Sequence, residues 1–347
     1  MHETIQVSVI VPCRNEQASI EACVRSILAQ EDVPGCYEVL VADGMSQDGT
    51  RAILQRLEQE DKRLRLIDNP AGIVSTGLNA AIRAARGTVI LRMDAHTVYA
   101  PDYIRQSLAV LHETGAANVG GPALTHSTGY IQAVIGAAFH APFAVGGGRF
   151  HDPTYEGAVD TVPYGCWPRE IFQRVGLFDE ELVRNQDDEF NLRLRRAGGI
   201  IWQSPRIRSW YRPRRSLLAL SRQYYQYGYW KVRVIQKHRG LASLRHVVPG
   251  SFVSLALILP VLGWRWRLAW VVWLGLLGVY GVSTVTAALL TAARSGWRLL
   301  PLLPVVFGCY HISYGLGFLH GVWAFLLCPR LRQYVPRVSR VRARGAS

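Results

Sequence analysis

Val7-Ser8-Val9-Ile10-Val11-Pro12-Cys13-Arg14-Asn15-Glu16 begins as a short apolar run, stops at a proline and turns polar. A run this short, rich in β-branched residues and closed by proline, predicts a buried strand. The period then changes. Residues 19–29 carry Ile20, Val24, Ile27 and Leu28 at helical spacing. Tyr37-Glu38-Val39-Leu40-Val41-Ala42 predicts a second strand, residues 48–57 a helix, Leu64-Arg65-Leu66-Ile67 a third strand and residues 73–85 a helix. Thr88-Val89-Ile90-Leu91-Arg92-Met93 predicts a fourth strand. Short apolar strands interleaved with helices predict an α/β fold with a mainly parallel sheet covered on both faces. Ligands bind such sheets at the carboxyl ends of the strands. Here those ends are Pro12-Cys13-Arg14-Asn15-Glu16, Asp43-Gly44-Met45-Ser46-Gln47-Asp48 and Asp94-Ala95-His96. Three polar clusters at three strand ends predict one shared site.

The chain has 347 residues, 49% of them hydrophobic. That length holds one α/β domain of about 200–250 residues and a smaller appendage. Apolar residues concentrate in three runs, at 247–263, 268–293 and 299–327. A helix needs roughly 20 residues to cross the hydrocarbon of a bilayer. The second and third runs meet that length; the first is shorter and contains Pro260. Charge is just as uneven. The formal net charge is +14, yet residues 1–230 hold 24 basic and 25 acidic residues. The excess lies beside the apolar runs, which predicts an anionic membrane face as the partner rather than nucleic acid. Basic blocks flank the runs on both sides, and the positive-inside rule places both in the cytosol, with an even number of crossings. Three runs do not satisfy that parity unless one lies in the interface or folds as a hairpin. No apolar leader precedes residue 7, so the N-terminal domain is expected in the cytosol. Six cysteines without a CxxC pair predict reduced, partly buried thiols, not a disulfide or zinc framework. The expected division is a catalytic domain over 1–230, a basic connection over 231–246, membrane segments over 247–328 and a basic tail over 329–347.

Asp94 and His96 stand two apart at the end of a strand, so their side chains project to the same side. A carboxylate with an imidazole suits a transition ion better than an all-oxygen set, which favours Mn²⁺ over Mg²⁺. The bland alternative is a turn or helix cap. Asp43 can accept hydrogen bonds from a base or ribose, and Gly44 permits close approach; Asp48 reads as a cap. Gln186-Asp187-Asp188-Glu189 opens a helix. Three acids there complement the helix dipole, and Asp187 is the candidate general base. Asp188 or Glu189 is expected to pair with Arg193 or Arg195. Val145-Gly146-Gly147-Gly148-Arg149 reads either as a plain connection or as a mobile loop that brings Arg149 to a phosphate. The aromatic, basic stretch at 216–230 suits a helix at the membrane interface.

Taken in order, residues 7–16, 39–50, 90–96, 176–181 and 185–193 resemble the family 2 glycosyltransferases of the GT-A fold. Residues 160–167 and 222–231 look like bacterial exopolysaccharide enzymes of the succinoglycan type, β-glucosyltransferases that act on a lipid-linked oligosaccharide at the inner membrane. The resemblance implies that Pro12, Arg14, Asn15 and Glu16 line the nucleotide pocket and that Asp43 holds uracil and ribose. It implies that Asp94 and His96 fill the family's DxD metal motif, with histidine in the second acidic place. Asp187 matches the catalytic Asp, with Gln186 where the family has Glu. Gly165, Trp167 and Asp188 would face the donor or acceptor sugar, and Trp230 would stack on an acceptor sugar. Tyr229 replaces the Arg of the processive synthases' QxxRW motif. The implied reaction is an inverting transfer, most readily of glucose, from a UDP-sugar to a lipid-linked saccharide. A polyprenyl-phosphate sugar synthase, a processive synthase and an inactive membrane scaffold are the alternatives.

Overall fold

The computed structural model describes residues 5–240 and 243–328. Strands β1 (Ile5–Cys13), β2 (Cys36–Asp43), β3 (Leu64–Asp68) and β4 (Val89–Arg92) alternate with helices α1 (Ile20–Leu28), α2 (Thr50–Glu60) and α3 (Val74–Ala84). These are the elements the periodicity predicts. The chain continues through β5 (Thr97–Tyr99), α4 (Tyr103–Thr114), β6 (Asn118–Gly120), β7 (Leu124–Thr125), α5 (Tyr130–Phe139), α6 (Pro142–Val145) and β8 (Gly157–Ala158). Next come β9 (Cys166–Pro168), α7 (Glu170–Val175), α8 (Gln186–Arg196), β10 (Ile201–Gln203) and β11 (Ser209–Tyr211). Four long helices close it: α9 (Leu217–His238), α10 (Val248–Gly263), α11 (Arg267–Ser295) and α12 (Leu303–Val322).

The main sheet has eight strands in the order β3-β2-β1-β4-β9-β6-β10-β8. Strands β3, β2, β1 and β4 are parallel; β9 runs antiparallel between β4 and β6. Alternate residues of β1 bury on opposite faces. Val7, Val9 and Val11 pack with Ile20, Val24, Leu54 and Ile104, whereas Ile10 packs with Leu40, Leu78 and Phe190. Covering both faces is why the strand reads as an apolar run instead of an alternating one. Strand order reverses at β1, with β2 on one side and β4 on the other, so a crevice opens at their carboxyl ends. A second sheet, β5-β11-β7, borders that crevice.

Two helical stretches, Leu244–Gly263 and Arg267–Ser295, are long and apolar enough to cross a membrane. Val261, Val271, Val279 and Val282 stand exposed on them. Pro260 does not break α10. Proline lacks the N–H that would bond the Ala256 carbonyl one turn back, and the Trp273 indole N–H of α11 donates to that carbonyl at 3.0 Å. The third apolar run differs from its expectation. α12 buries Val306, Phe307 and Tyr310 against protein, and its glycines bring it onto α9. A Cβ at Gly228 would lie 2.0 Å from the Tyr314 carbonyl oxygen, and one at Gly317 would lie 1.9 Å from that of Tyr225. Small residues let helix backbones approach this closely. Among the described residues the helices of spanning length and hydropathy number two, Leu244–Gly263 and Arg267–Ser295, and are not the second and third runs. The basic tail at 329–347 lies outside the described residues.

Candidate active site

The last residue of β4 is a charge in an otherwise apolar strand. Arg92 has a side chain only 5% exposed, a position that is costly for a charge without partners. It has two. Nε donates to Asp94 Oδ1 at 2.8 Å and Nη2 to Asp94 Oδ2 at 3.2 Å. Nη1 donates to Asp187 Oδ1, on the first turn of α8. Burial works against the Arg92 charge, but the carboxylates of Asp187 and Asp94 outweigh it and hold the guanidinium charged well beyond its usual range. For Asp187 the balance falls the other way. Burial raises its carboxyl above the ordinary value, Arg92 opposes this, and the negative charges of Asp94 and Asp188 add to the rise. The Asp187 side chain remains 36% exposed to the crevice.

Asp94 and His96 lie in the turn between β4 and β5, which the Thr97 N–H closes on the Asp94 carbonyl at 3.2 Å, and not on the strand itself. His96 Nδ1 is 3.6 Å from Glu16 Oε1, and the His96 ring meets Tyr211 edge-on at 6.0 Å. Burial pushes the Glu16 carboxyl up, yet the His96 ring and the Ser19 hydroxyl hold it below the usual carboxylate value. The Asp94 N–H donates to the Tyr99 hydroxyl, so β5 fixes the turn from outside.

The loops after β1 and β2 brace each other. The Asn15 N–H donates to Ser46 Oγ at 2.9 Å, and the Gln47 N–H to Asn15 Oδ1 at 2.9 Å. The Glu16 N–H donates to Thr50 Oγ1, and Arg14 Nη1 to the Gly72 carbonyl. Asn15, Met45, Tyr164 and Asn185 all have φ between 55° and 64°. Each such conformation costs a non-glycine residue about 1 kcal/mol, and all four sit on loops around the crevice.

A cavity of about 780 Å³ opens on Arg92, on the turn after β4 and on the start of α8. Asp94, His96, Asp187 and Asp188 line it together with Arg92, which the sequence analysis did not single out. An arginine inside an apolar strand, two residues before Asp94, was the available signal. Other predicted positions fall elsewhere. Asp43 is wholly buried, and its carboxylate accepts from Ser46 Oγ at 2.5 Å and Arg51 Nη1 at 3.1 Å. It braces the loop and is not on the cavity wall. Pro12, Arg14, Asn15 and Glu16 are not on the cavity wall either; of the four, Glu16 approaches it through the His96 ring. Trp167 is buried among Phe172, Phe178 and Phe190, so it packs the core instead of facing a sugar. Gly165 has φ 83°, and a Cβ there would strike Trp167 at 2.3 Å; it is a turn residue whose carbonyl accepts from the Arg92 N–H. Trp230 is buried beside Tyr229 and Phe325. The same helix presents Gln223, Tyr224, Tyr227 and Lys231 to the cavity. Arg149 stacks on Tyr155 instead of facing the cavity. Glu189 pairs with Arg193 at 2.8 Å, as expected, whereas Asp188 pairs with Lys231 at 2.6 Å.

Asp94 and His96 both line the cavity, one with a carboxylate and one with an imidazole, a mixed oxygen and nitrogen donor pair. Among the described residues no group of three His, Cys, Asp or Glu side chains converges to hold a metal. A cation held there would have to take most of its ligands from outside the chain, such as diphosphate and water oxygens.

Residues 8–137 match the model of Glycosyl transferase family 2. The succinoglycan biosynthesis protein ExoA of Rhizobium meliloti (strain 1021) is 30% identical over 328 residues, 93% of this chain and 96% of that protein. The chain belongs to glycosyl transferase family 2. The transferase is also 24% identical, over 91% of its length and 97% of the relative's, to a dolichyl N-acetyl-α-D-glucosaminyl phosphate 3-β-D-2,3-diacetamido-2,3-dideoxy-β-D-glucuronosyltransferase of Methanococcus voltae. Its fold is GT-A. The mannosyltransferase PcManGT of Pyrobaculum calidifontis, solved with GDP-Man and Mn²⁺, superposes with a TM-score of 0.57 at 18% identity, over 92% of this chain and 88% of that one.

Proposed function

We propose that the transferase moves a sugar, with glucose the first candidate, from a UDP-sugar to a lipid-linked saccharide during exopolysaccharide assembly. It would do so at the inner membrane, with its catalytic domain in the cytosol. One observation carries this reading: Asp187, a carboxylate raised above its ordinary value, is held by Arg92 beside Asp94 on a cavity that also reaches the apolar helices. The name of its M. voltae relative, with a dolichyl phosphate-linked sugar, supports the acceptor class, and that of its ExoA relative supports the polysaccharide setting.

Asp187 takes the proton from an acceptor hydroxyl. The freed oxygen attacks C1 of the donor sugar as the bond from C1 to the diphosphate oxygen breaks. UDP leaves with that electron pair, and the configuration at C1 inverts. Asp94 and His96 would hold a divalent cation, preferably Mn²⁺, whose charge neutralises the diphosphate when bound. Arg92 fixes Asp187 and Asp94 relative to each other, and the loops at the ends of β1 and β2 form the nucleotide floor.

A donor screen tests the reading. Membranes carrying the transferase are given UDP-glucose, UDP-galactose, UDP-N-acetylglucosamine or GDP-mannose, and nucleotide release and the lipid product are measured. Acceptor-dependent UDP release with one added sugar on a lipid-linked saccharide is expected. A sugar-phosphate-lipid product, a long polymer or no release from any donor would contradict it.

A further inference from the structure

Beyond Asp187 the cavity continues to groups the reaction above does not use. Lys231 of α9, buried and paired with Asp188, lines it. Arg245 and His246, at the entrance to α10, and Tyr314 of α12 line it as well. Arg245 is paired with Asp160 and packed against Gly146 and Gly148. That contact gives the glycine stretch of the chain a structural use. Two polar atoms in this junction, His246 Nδ1 and Tyr314 Oη, are buried with no hydrogen-bond partner among the described residues, as is Gln186 Oε1 beside the base. Buried polar atoms are normally satisfied, so the two orphans at the junction, each able to donate, point to an absent acceptor, while Gln186 Oε1 can only accept and has no part in it. Lysine carries three N–H donors and arginine five, so one carboxylate partner each leaves donors over.

Past the junction the lining becomes aromatic. Phe143 faces Tyr280 at 6.3 Å, and Phe252 stacks on Tyr280 at 4.5 Å. Phe252 and Tyr280 belong to α10 and α11, whose outer faces are apolar and exposed. One lining therefore brings together Asp187, a junction with two cationic side chains and, about a turn and a half along α10 from His246, an aromatic arm.

We infer that this cavity is the acceptor port, with the phosphate or diphosphate of a lipid-linked acceptor at Lys231, Arg245, His246 and Tyr314 and the lipid chain against Phe143, Phe252 and Tyr280. The inference rests on the proposed acceptor class and deepens it by giving each part of that acceptor a place. A neutral polysaccharide would use neither the two cations nor the apolar arm.

The test is binding to the purified full chain in lipid nanodiscs, with farnesyl diphosphate as probe and inorganic pyrophosphate, farnesol, cellotetraose and UDP as comparisons. Farnesyl diphosphate should bind more tightly than pyrophosphate or farnesol. Tyr314→Phe and His246→Ala should each weaken it on the order of tenfold, the loss expected for one hydrogen bond to a charged group, with UDP affinity unchanged. Tyr314→Phe removes only a hydroxyl without a partner, so folding is preserved in that variant. Unchanged farnesyl diphosphate affinity in both variants would overturn the inference. So would a parallel loss of UDP binding, or preferential binding of cellotetraose in the arm. Binding is read without turnover. A wild-type chain that binds farnesyl diphosphate but transfers no sugar would therefore sink the proposed reaction and leave the port standing.

Discussion

A guanidinium at the end of an apolar strand is stable only between carboxylates, and Arg92 has one on each side. Its charge lowers the carboxyl of Asp187, against the upward push of burial and of two neighbouring acids. The base must be ionised to act, so activity falls as pH drops through its raised value. The acid limb of kcat/KM should therefore lie above the ordinary aspartate value of about 3.9. Arg92→Gln removes the one lowering influence and should move that limb to higher pH; a limb that stays put would show that Arg92 does not set the base. Asp94→Ala should abolish the Mn²⁺ dependence of UDP affinity, measured by titration with and without the ion. Unchanged dependence would place the cation elsewhere. Asp94, His96 and Asp187 were legible as candidates because acids at a strand end and at a helix start are visible in spacing. Arg92 was missed because nothing in a sequence shows which distant carboxylate a buried charge will meet. The resemblance implies sugar contacts for Trp167 and Trp230, but an aromatic ring serves a core and a sugar face equally well, and only packing tells them apart.

At the scale of elements, β1 to β4 and α1 to α3 could be read directly, because each is a run long enough to show its period. Strands β8 to β11 could not. They have two or three residues each and exist only through partners far away in the chain, such as Cys166 of β9 opposite Leu91 of β4. The helical phase of α9 was also hidden: an aromatic run does not reveal that Tyr224 and Tyr227 face the cavity while Tyr229 and Trp230 face α12 and the segment after it. That crossing is tight. Gly317→Leu would force side-chain atoms into the Tyr225 backbone and should cost about 1–3 kcal/mol or more, as overpacking does. Thermal unfolding in detergent measures it; an unchanged midpoint would mean that α12 does not pack on α9 in solution.

The whole molecule joins an α/β domain to an apolar hairpin, and the cavity between them is lined both by Asp187 and by aromatic residues of the hairpin. α11 alone is 29 residues long, about 43 Å at 1.5 Å per residue, against roughly 30 Å of hydrocarbon. In the proposed topology two crossings would put the N-terminal domain and residue 328 on one side and the Trp264-Arg265-Trp266 turn on the other. Single cysteines introduced in that turn should be labelled by an impermeant reagent from the periplasm, and ones near residue 243 should not; the reverse pattern would overturn the topology. The central claim is that Asp187 is the base of a sugar transfer from a nucleotide donor. Asp187→Asn measures it most directly, with UDP affinity and acceptor-dependent UDP release followed on the same preparation. UDP should bind as it does to the wild type while transfer falls by about 10²–10⁴-fold; transfer near the wild-type rate, with UDP still bound, would contradict the account.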